Sequence, residues 1–287
     1  MTTIGFLGAG AMGQLMMTNL LKTGYDLCVW NRTASRCHAL VAQGARQCST
    51  PREVAQRSDI VIAMLTDDEA SRSAWLDAET GAINGLKKNA VAIECSTLSH
   101  ACCLELAESI DKTGSCFLDA PVVGSRPQAV ACQLIHLVGG DKKVLNDIQK
   151  ILKVNAAAIH HTGNIGSGMM MKLAVNGVFS AQVNVLGEVL GVLNKAGISN
   201  ETAIHLFNEL PVSSSALKGI GLLIAAENYE PLFPVNLVEK DLRYLQQLAQ
   251  SVQSNTPGID VTRLNYQSAK ETGYGQENIA GVVKVFQ

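Results

Sequence analysis

A surplus of charge of either sign is missing from this chain of 287 residues: Lys and Arg number 23, Asp and Glu 25, and the formal charge is −2. There is no basic block to neutralise a phosphodiester backbone and no acidic tail, so nucleic acid is excluded as an expected partner. Eight cysteines stand at positions 28, 37, 48, 95, 102, 103, 116 and 132, none of them in a C-x-x-C arrangement. That spacing favours buried, reduced thiols in a cytoplasmic protein over a disulfide framework or a zinc site, and no metal is expected. The N-terminal stretch lacks a basic leader and is broken by glycines at strand-turn-helix spacing, and no segment reads as long enough to span a bilayer. Neither a signal peptide nor a membrane partner is expected. Proline is absent between Gly163 and Gly197. That apolar run reads as one helix from about Ile165 to Lys195, about 45 Å long, enough to leave one domain and found another. Apolar residues are plentiful: at 47% hydrophobic, the chain is ample for one large or two medium domains with real cores.

The first half alternates strand and helix. Ile4 to Leu7 is a short apolar run leading into Gly8-Ala9-Gly10-Ala11-Met12-Gly13, after which Met16, Leu20 and Leu21 recur at helical spacing up to Gly24. A second strand-like run, Asp26 to Trp30, follows at once. G-x-G-x-x-G carries meaning when it joins a strand to a helix within such a βαβ unit. Gly8 then makes the tight turn, Gly10 admits a pyrophosphate, and Gly13 lets the helix pack closely. The N–H groups at the helix start, around Ala11 and Met12, face the phosphates. An acidic residue at the end of the second strand would hold the ribose hydroxyls of NAD, but this chain has Asn31-Arg32. A guanidinium against a 2′-phosphate contributes about 1.5–3 kcal/mol, roughly a ten- to hundredfold preference, so NADP is expected over NAD.

The alternation continues. Thr50-Pro51-Arg52-Glu53 has capping-box spacing with proline at the first helical position. Ile60 to Leu65 reads as a buried strand ending in Thr66-Asp67-Asp68, and Ala90 to Cys95 as another ending in Ser96-Thr97. Those ends lie at the carboxyl edge of the sheet, where ligands of open α/β sheets sit. Ser96-Thr97 serves equally well as the cap of the helix expected over Ser99 to Lys112. Cys116 to Val122, Leu134 to Val138 and Ala158 to His161 read as further strands, with a helix near Lys142 to Leu152. His160-His161 has no carboxylate or cysteine at ligand spacing and reads as a strand end. The expected fold is a doubly wound, mostly parallel Rossmann sheet over residues 1–163, a long interdomain helix over 164–196, and an all-helical domain over 197–287.

Beyond the long run, Ser199 caps Glu201 to Leu210, Ser215 to Glu227 is mostly apolar, and Val235 to Ser251 is amphipathic. Thr256-Pro257-Gly258 breaks the chain before another helical stretch, and Gly273 precedes a last short helix. An apolar helical domain on an exposed long helix is expected to bury its flank against a copy of itself, as a homodimer or homotetramer. Lys172 and Asn176, four apart near the start of the long helix, share one face. Reduction of a carbonyl leaves negative charge growing on oxygen, and an ammonium at Lys172 can donate a proton there, with Asn176 holding the same oxygen or the lysine. On those two residues alone, a solvated lysine beside a helix-face asparagine is the simpler reading.

Gly8-x-Gly10-x-x-Gly13, Asn31-Arg32-Thr33, Met64-Leu65, Ser96-Thr97, Asp119-x-Pro121-Val122-x-Gly124, Gly166-x-Gly168-x-x-x-Lys172-x-x-x-Asn176 and Lys240-Asp241-Leu242 span nearly the whole chain. Their order and spacing jointly resemble the β-hydroxyacid dehydrogenase family, in its 3-hydroxyisobutyrate dehydrogenase-like branch. The resemblance implies NADP or NAD at the glycine loop, flanked by Asn31, Arg32, Thr33 and Met64, with Leu65 and Thr97 near the nicotinamide half and Lys240 approaching the cofactor from the helical domain. It implies substrate, a small carboxylate, held by Ser96 and the Val123-Gly124-Ser125 segment, with Lys172 catalytic and Asn176 supporting it. The implied activity is hydride transfer between nicotinamide and a small β-hydroxy acid or its semialdehyde. The family commonly has serine, which helps hold a substrate carboxylate, where this chain has Val123. Gly124 backbone, Ser125 hydroxyl or Arg126 charge would have to substitute. Two alternatives stand beside this reading: an imine or other carbonyl reductase of the same architecture, and an NADP-binding scaffold without turnover.

Overall fold

The computed structural model describes residues 2–287, which divide into two compact units, one ending at Lys172 and one beginning at Leu173. In the first, chain order runs β1 (Thr3–Leu7), α1 (Ala11–Lys22), β2 (Asp26–Trp30), α2 (His38–Val41), β3 (Arg46–Gln47), α3 (Pro51–Arg57), β4 (Ile60–Ala63) and α4 (Asp68–Leu76). It continues through β5 (Val91–Glu94), α5 (His100–Asp111), β6 (Cys116–Asp119), β7 (Val122–Val123), α6 (Arg126–Val130), β8 (Leu134–Gly140), α7 (Lys142–Lys153) and β9 (Ala156–Gly163). Among the described residues these strands form one nine-stranded sheet ordered β3-β2-β1-β4-β5-β6-β8-β7, with β9 beside β8. Every pairing is parallel except those of β8 with β6 and β7. This is the doubly wound Rossmann sheet that the alternation implies.

The two faces of the sheet read directly from the period of two along each strand. One core gathers Ile4, Phe6, Met16, Leu20, Ile62 and Leu118, the other Leu7, Val61, Ala63, Trp75, Leu98 and Leu106. All four residues of β4 are buried, as its unbroken apolar run requires in a sheet covered on both sides. Strand ends differ from expectation in several places, β8 and β9 each running beyond the expected bounds. The run from Cys116 to Val122 splits into β6 and β7 around Pro121, which has no N–H for a ladder. β4 stops at Ala63, which leaves Met64 and Leu65 in the loop beyond it. Thr50 caps α3 by accepting the Glu53 N–H at 3.1 Å, but the Glu53 carboxylate returns to Ser49 N–H at 2.8 Å, not to Thr50. All eight cysteines are free. Six are buried, Cys116 is half-buried and Cys132 is exposed, so the expectation of burial fails at 132.

The helix α8 (Ser167–Lys195) runs unbroken for 29 residues, because no proline interrupts it. With a mean hydropathy of 1.3 it is long and apolar enough to cross a membrane by length and composition, contrary to the sequence reading; half of that window is buried within the protein. The second unit continues with α9 (Asn200–Glu209), α10 (Ser215–Ala225), α11 (Val235–Ser251) and α12 (Pro257–Ala269). Its core comprises Val183, Leu190, Ile204, Ile224, Val238 and Tyr266 among others. Ser199 caps α9 through the Thr202 N–H and Ser214 caps α10 through the Leu217 N–H. The last segment, Ile279–Phe286, is a 3₁₀ helix. It lies so close to α8 that a Cβ at Gly187 or Gly191 would meet Val283 or Phe286.

Candidate functional site

The glycine loop between β1 and α1 shows three different uses of a missing side chain. Gly8 has φ +102, and a Cβ there would strike the Met64 carbonyl; its N–H donates to Trp30 O at 2.9 Å. Gly13 lies against the Gly8 carbonyl, so a Cβ would meet backbone. At Gly10 a Cβ would meet nothing within 4 Å. Gly8 and Gly13 are thus glycine for packing, while Gly10 leaves one side of the loop open. Gly10 is also the N-cap of α1 and brings no capping side chain, and the first turn, starting at Ala11 and Met12, carries no acidic residue. An uncompensated helix N-terminus beside an open glycine backbone fits a pyrophosphate, whose charge the N–H groups and the helix dipole would meet.

The flanking residues complete this edge of the sheet. The Asn31 side chain is committed to the loop itself: Oδ1 accepts the Ala9 N–H at 2.9 Å and Nδ2 donates to Thr33 O at 2.9 Å. It shapes the cradle. Arg32 and Thr33 are exposed at the end of β2, and the turn after them is tied to α1 by Gln14 Nε2 donating to Arg36 O at 3.1 Å. Met64 and Leu65 are half-buried beyond β4. The Leu65 N–H donates to Ser96 Oγ at 2.7 Å, and Ser96 gives both its hydroxyl and its N–H to Glu94 Oε1.

Ser96 is 0% exposed and its hydroxyl is engaged on both sides, so it pins the ends of β4 and β5 together. Glu94, which also accepts from Trp75 Nε1 at 2.9 Å, is wholly buried. Burial pushes its carboxyl above the usual range, against the hydrogen bonds from Ser96 and Trp75. Thr97 is half-buried one residue further along. Ser99 caps α5 through the Cys102 N–H, and Asp68 accepts both Ser99 N–H at 2.9 Å and Oγ–H at 2.6 Å. Val123 ends β7, half-buried and paired with Ile135. Gly124 follows with φ +115, and the Ser125 N–H donates to Gln128 Oε1 at 2.9 Å. Arg126 is exposed.

Lys172 and Asn176 are both buried, one turn apart on α8. Asn176 Nδ2 donates to Asp241 Oδ2 at 2.6 Å, and the other Asp241 oxygen pairs with Lys240 Nζ at 3.2 Å. Lys240 Nζ also lies 5.2 Å from the Tyr244 ring centroid. Asp241 therefore joins two residues that the sequence singles out, and it is a member the sequence reading missed. The sequence shows it within the Lys240-Asp241-Leu242 motif without giving it a role; the partnership with Asn176, 65 positions away, exists only in the fold. With Nδ2 held by Asp241, the Asn176 amide has its oxygen left as the acceptor.

Comparisons with known proteins identify the family. Residues 3–166 match the family model described as the NAD binding domain of 6-phosphogluconate dehydrogenase, and residues 166–286 that described as NAD-binding of NADP-dependent 3-hydroxyisobutyrate dehydrogenase. Glyoxylate/succinic semialdehyde reductase 1 of Arabidopsis thaliana is 32% identical over 281 residues, covering 98% of this chain and 97% of that protein. The chloroplastic reductase 2 of the same plant is 32% identical over 287 residues, covering 99% of this chain and 79% of that protein. Among solved structures, a Mycobacterium tuberculosis 3-hydroxyisobutyrate dehydrogenase with L-serine superposes with a TM-score of 0.91 at 24% identity, over 100% of this chain and 99% of that one. With family models along almost its full length and two relatives at 32% identity that match 98–99% of it, the chain belongs to the β-hydroxyacid dehydrogenase family, in its 3-hydroxyisobutyrate dehydrogenase-like branch of NAD(P)-dependent dehydrogenases and reductases.

Proposed function

We propose that the protein is an NADP-preferring reductase of small semialdehyde acids, also able to oxidise the matching β-hydroxy acids, with Lys172 as general acid and base. The observation that carries this reading is the Lys172–Asn176 spacing on α8 with the Asn176 amide held by Asp241. NADP in its reduced form, when bound, supplies hydride to the carbonyl carbon. The Lys172 ammonium donates a proton to the carbonyl oxygen, and in the reverse direction the amine accepts it. Asn176 Oδ1 accepts a hydrogen bond from the ammonium or from the product hydroxyl. Gly10 and the start of α1 hold the pyrophosphate, Arg32 takes the 2′-phosphate, and Thr33, Met64, Leu65, Thr97 and Lys240 line the remainder of the cofactor. Gly124, Ser125 and Arg126 take the substrate carboxylate where Val123 supplies no hydroxyl. The two plant relatives, named for glyoxylate and succinic semialdehyde, support an aldehyde-acid substrate.

The test is NADPH oxidation with succinic, methylmalonic and tartronic semialdehydes and with glyoxylate. At least one is expected to turn over, and Lys172→Ala is expected to lower kcat on the best of them by about 10²–10⁴-fold. Full turnover by that variant would refute the role of Lys172. Val123 supports a second reading, reduction of an imine, and activity on cyclic imines with none on any aldehyde acid would decide for it.

A further inference from the structure

The helix that carries Lys172 begins at a position with no side chain of its own to cap it. Met170 N–H donates to Gly166 O at 2.9 Å, which makes Gly166 the N-cap, and its φ is +86. An N-cap side chain normally accepts the N–H groups two and three positions on. Here a carboxylate 47 residues earlier in the chain does so. Asp119, the last residue of β6, accepts the Gly166 N–H on Oδ1 at 2.7 Å and the Met169 N–H on Oδ2 at 2.8 Å, with Gly168 N–H a further donor.

Two more glycines exist to make room for it. A Cβ at Gly139, the β8 partner of Asp119, would strike Asp119 Oδ1, and one at Gly168 would strike the Leu137 carbonyl and meet Asp119 Oδ2 at 2.9 Å. Asp119 is 0% exposed. A buried carboxylate with no cation against it is costly, and sequence economy alone would replace it with an apolar residue. Lys172 stands three residues beyond Met169, one turn along the same face.

We propose that Asp119 is a positioning residue for Lys172: fixed at the end of a central strand, its carboxylate seizes the first N–H groups of α8 and so sets the phase and direction of the turn that presents the lysine. The proposal rests on the reading of Lys172 as the general acid. It also bears on the Gly166-x-Gly168 spacing, since glycine at 166 takes a positive φ and leaves the cap vacant, and glycine at 168 admits both the Leu137 carbonyl and the remote carboxylate. The other titratable groups packed around Asp119 are Glu94, its partner on β5, and Cys103 on α5. Burial pushes the Asp119 carboxyl up to about 6, against the N–H donors that hold it down. Above that pH the cap is an anion; below it one oxygen carries a proton, and the cap is weakened by the loss of its charge and of one acceptor.

The experiment compares the unmodified protein with Asp119→Asn, which keeps one acceptor oxygen and loses the charge. Expected are a kcat about 10- to 100-fold lower, from a misplaced Lys172, and an NADPH Kd within about twofold. The fall of kcat below about pH 6 should be absent from the variant. A variant that folds and binds NADPH but keeps full kcat and the acid limb overturns the proposal. Should the variant fail to fold, amide hydrogen exchange on the unmodified protein decides: slow exchange at Gly166 and Met169 supports the cap, and exchange as fast as in other first-turn amides overturns it. Failure of the Lys172 reading is separate, because it shows in Lys172→Ala whatever Asp119 does.

Discussion

Arg32 stands exposed at the end of β2, in the place where relatives of this architecture choose between the two nicotinamide cofactors. Its guanidinium can bind a 2′-phosphate bidentately, a charge-assisted contact of about 1.5–3 kcal/mol. Arg32→Ala is therefore expected to weaken NADPH about 10- to 100-fold while changing NADH little, measured by fluorescence titration of both. Tighter binding of NADH by the unmodified protein would refute the assignment. Other single residues proved harder to read. Asn31 reads from the sequence as a residue flanking the cofactor, and the fold commits its amide to bridging Ala9 and Thr33, which holds the loop. Ser96 looks like a ligand residue at a strand end, but the buried Glu94 claims its hydroxyl. Both differences have one origin: the identity of a polar side chain states what it can bond, and only its neighbours decide which bond it makes.

Among the elements, the β1–α1 turn separates the two meanings of glycine most cleanly. Gly13→Ala forces a Cβ into the Gly8 carbonyl and is expected to destabilise the first unit by about 2 kcal/mol or more, lowering its melting temperature. Gly10→Ala meets nothing and should leave the melting temperature nearly unchanged, yet weaken NADPH at least about tenfold, because the new methyl enters the open side of the cradle. Equal effects of both variants on stability would sink the distinction. Most elements were legible because their determinants are local. Thr50-Pro51 starts α3, Ser199 starts α9, and an uninterrupted apolar run makes α8. The cap of α8 was not legible, because Asp119 lies 47 positions from the N–H group it receives and belongs to another element.

For the whole molecule, α8 leaves Met171, Val178, Val185 and Val192 exposed, at 46, 61, 55 and 66%, each seven residues from the last. A seven-residue period drifts by only about 20° per repeat on a straight helix, so these side chains form one apolar stripe. A second copy of the chain is the expected occupant, and light scattering should give a dimer or tetramer that Val185→Glu shifts towards monomer. A monomeric unmodified protein would refute it. The sequence by itself determined the alternation of strand and helix, the glycine turn and the long helix, because hydrophobic period, glycine and proline act within a few residues. Only the tertiary structure decided that Asp241 ties Asn176 to Lys240, that Glu94 withdraws Ser96, and that Asp119 caps the helix of Lys172. Asn176–Asp241 and Asp119–Gly166 join positions 65 and 47 residues apart, and all of these are buried polar groups, which burial obliges to find a partner.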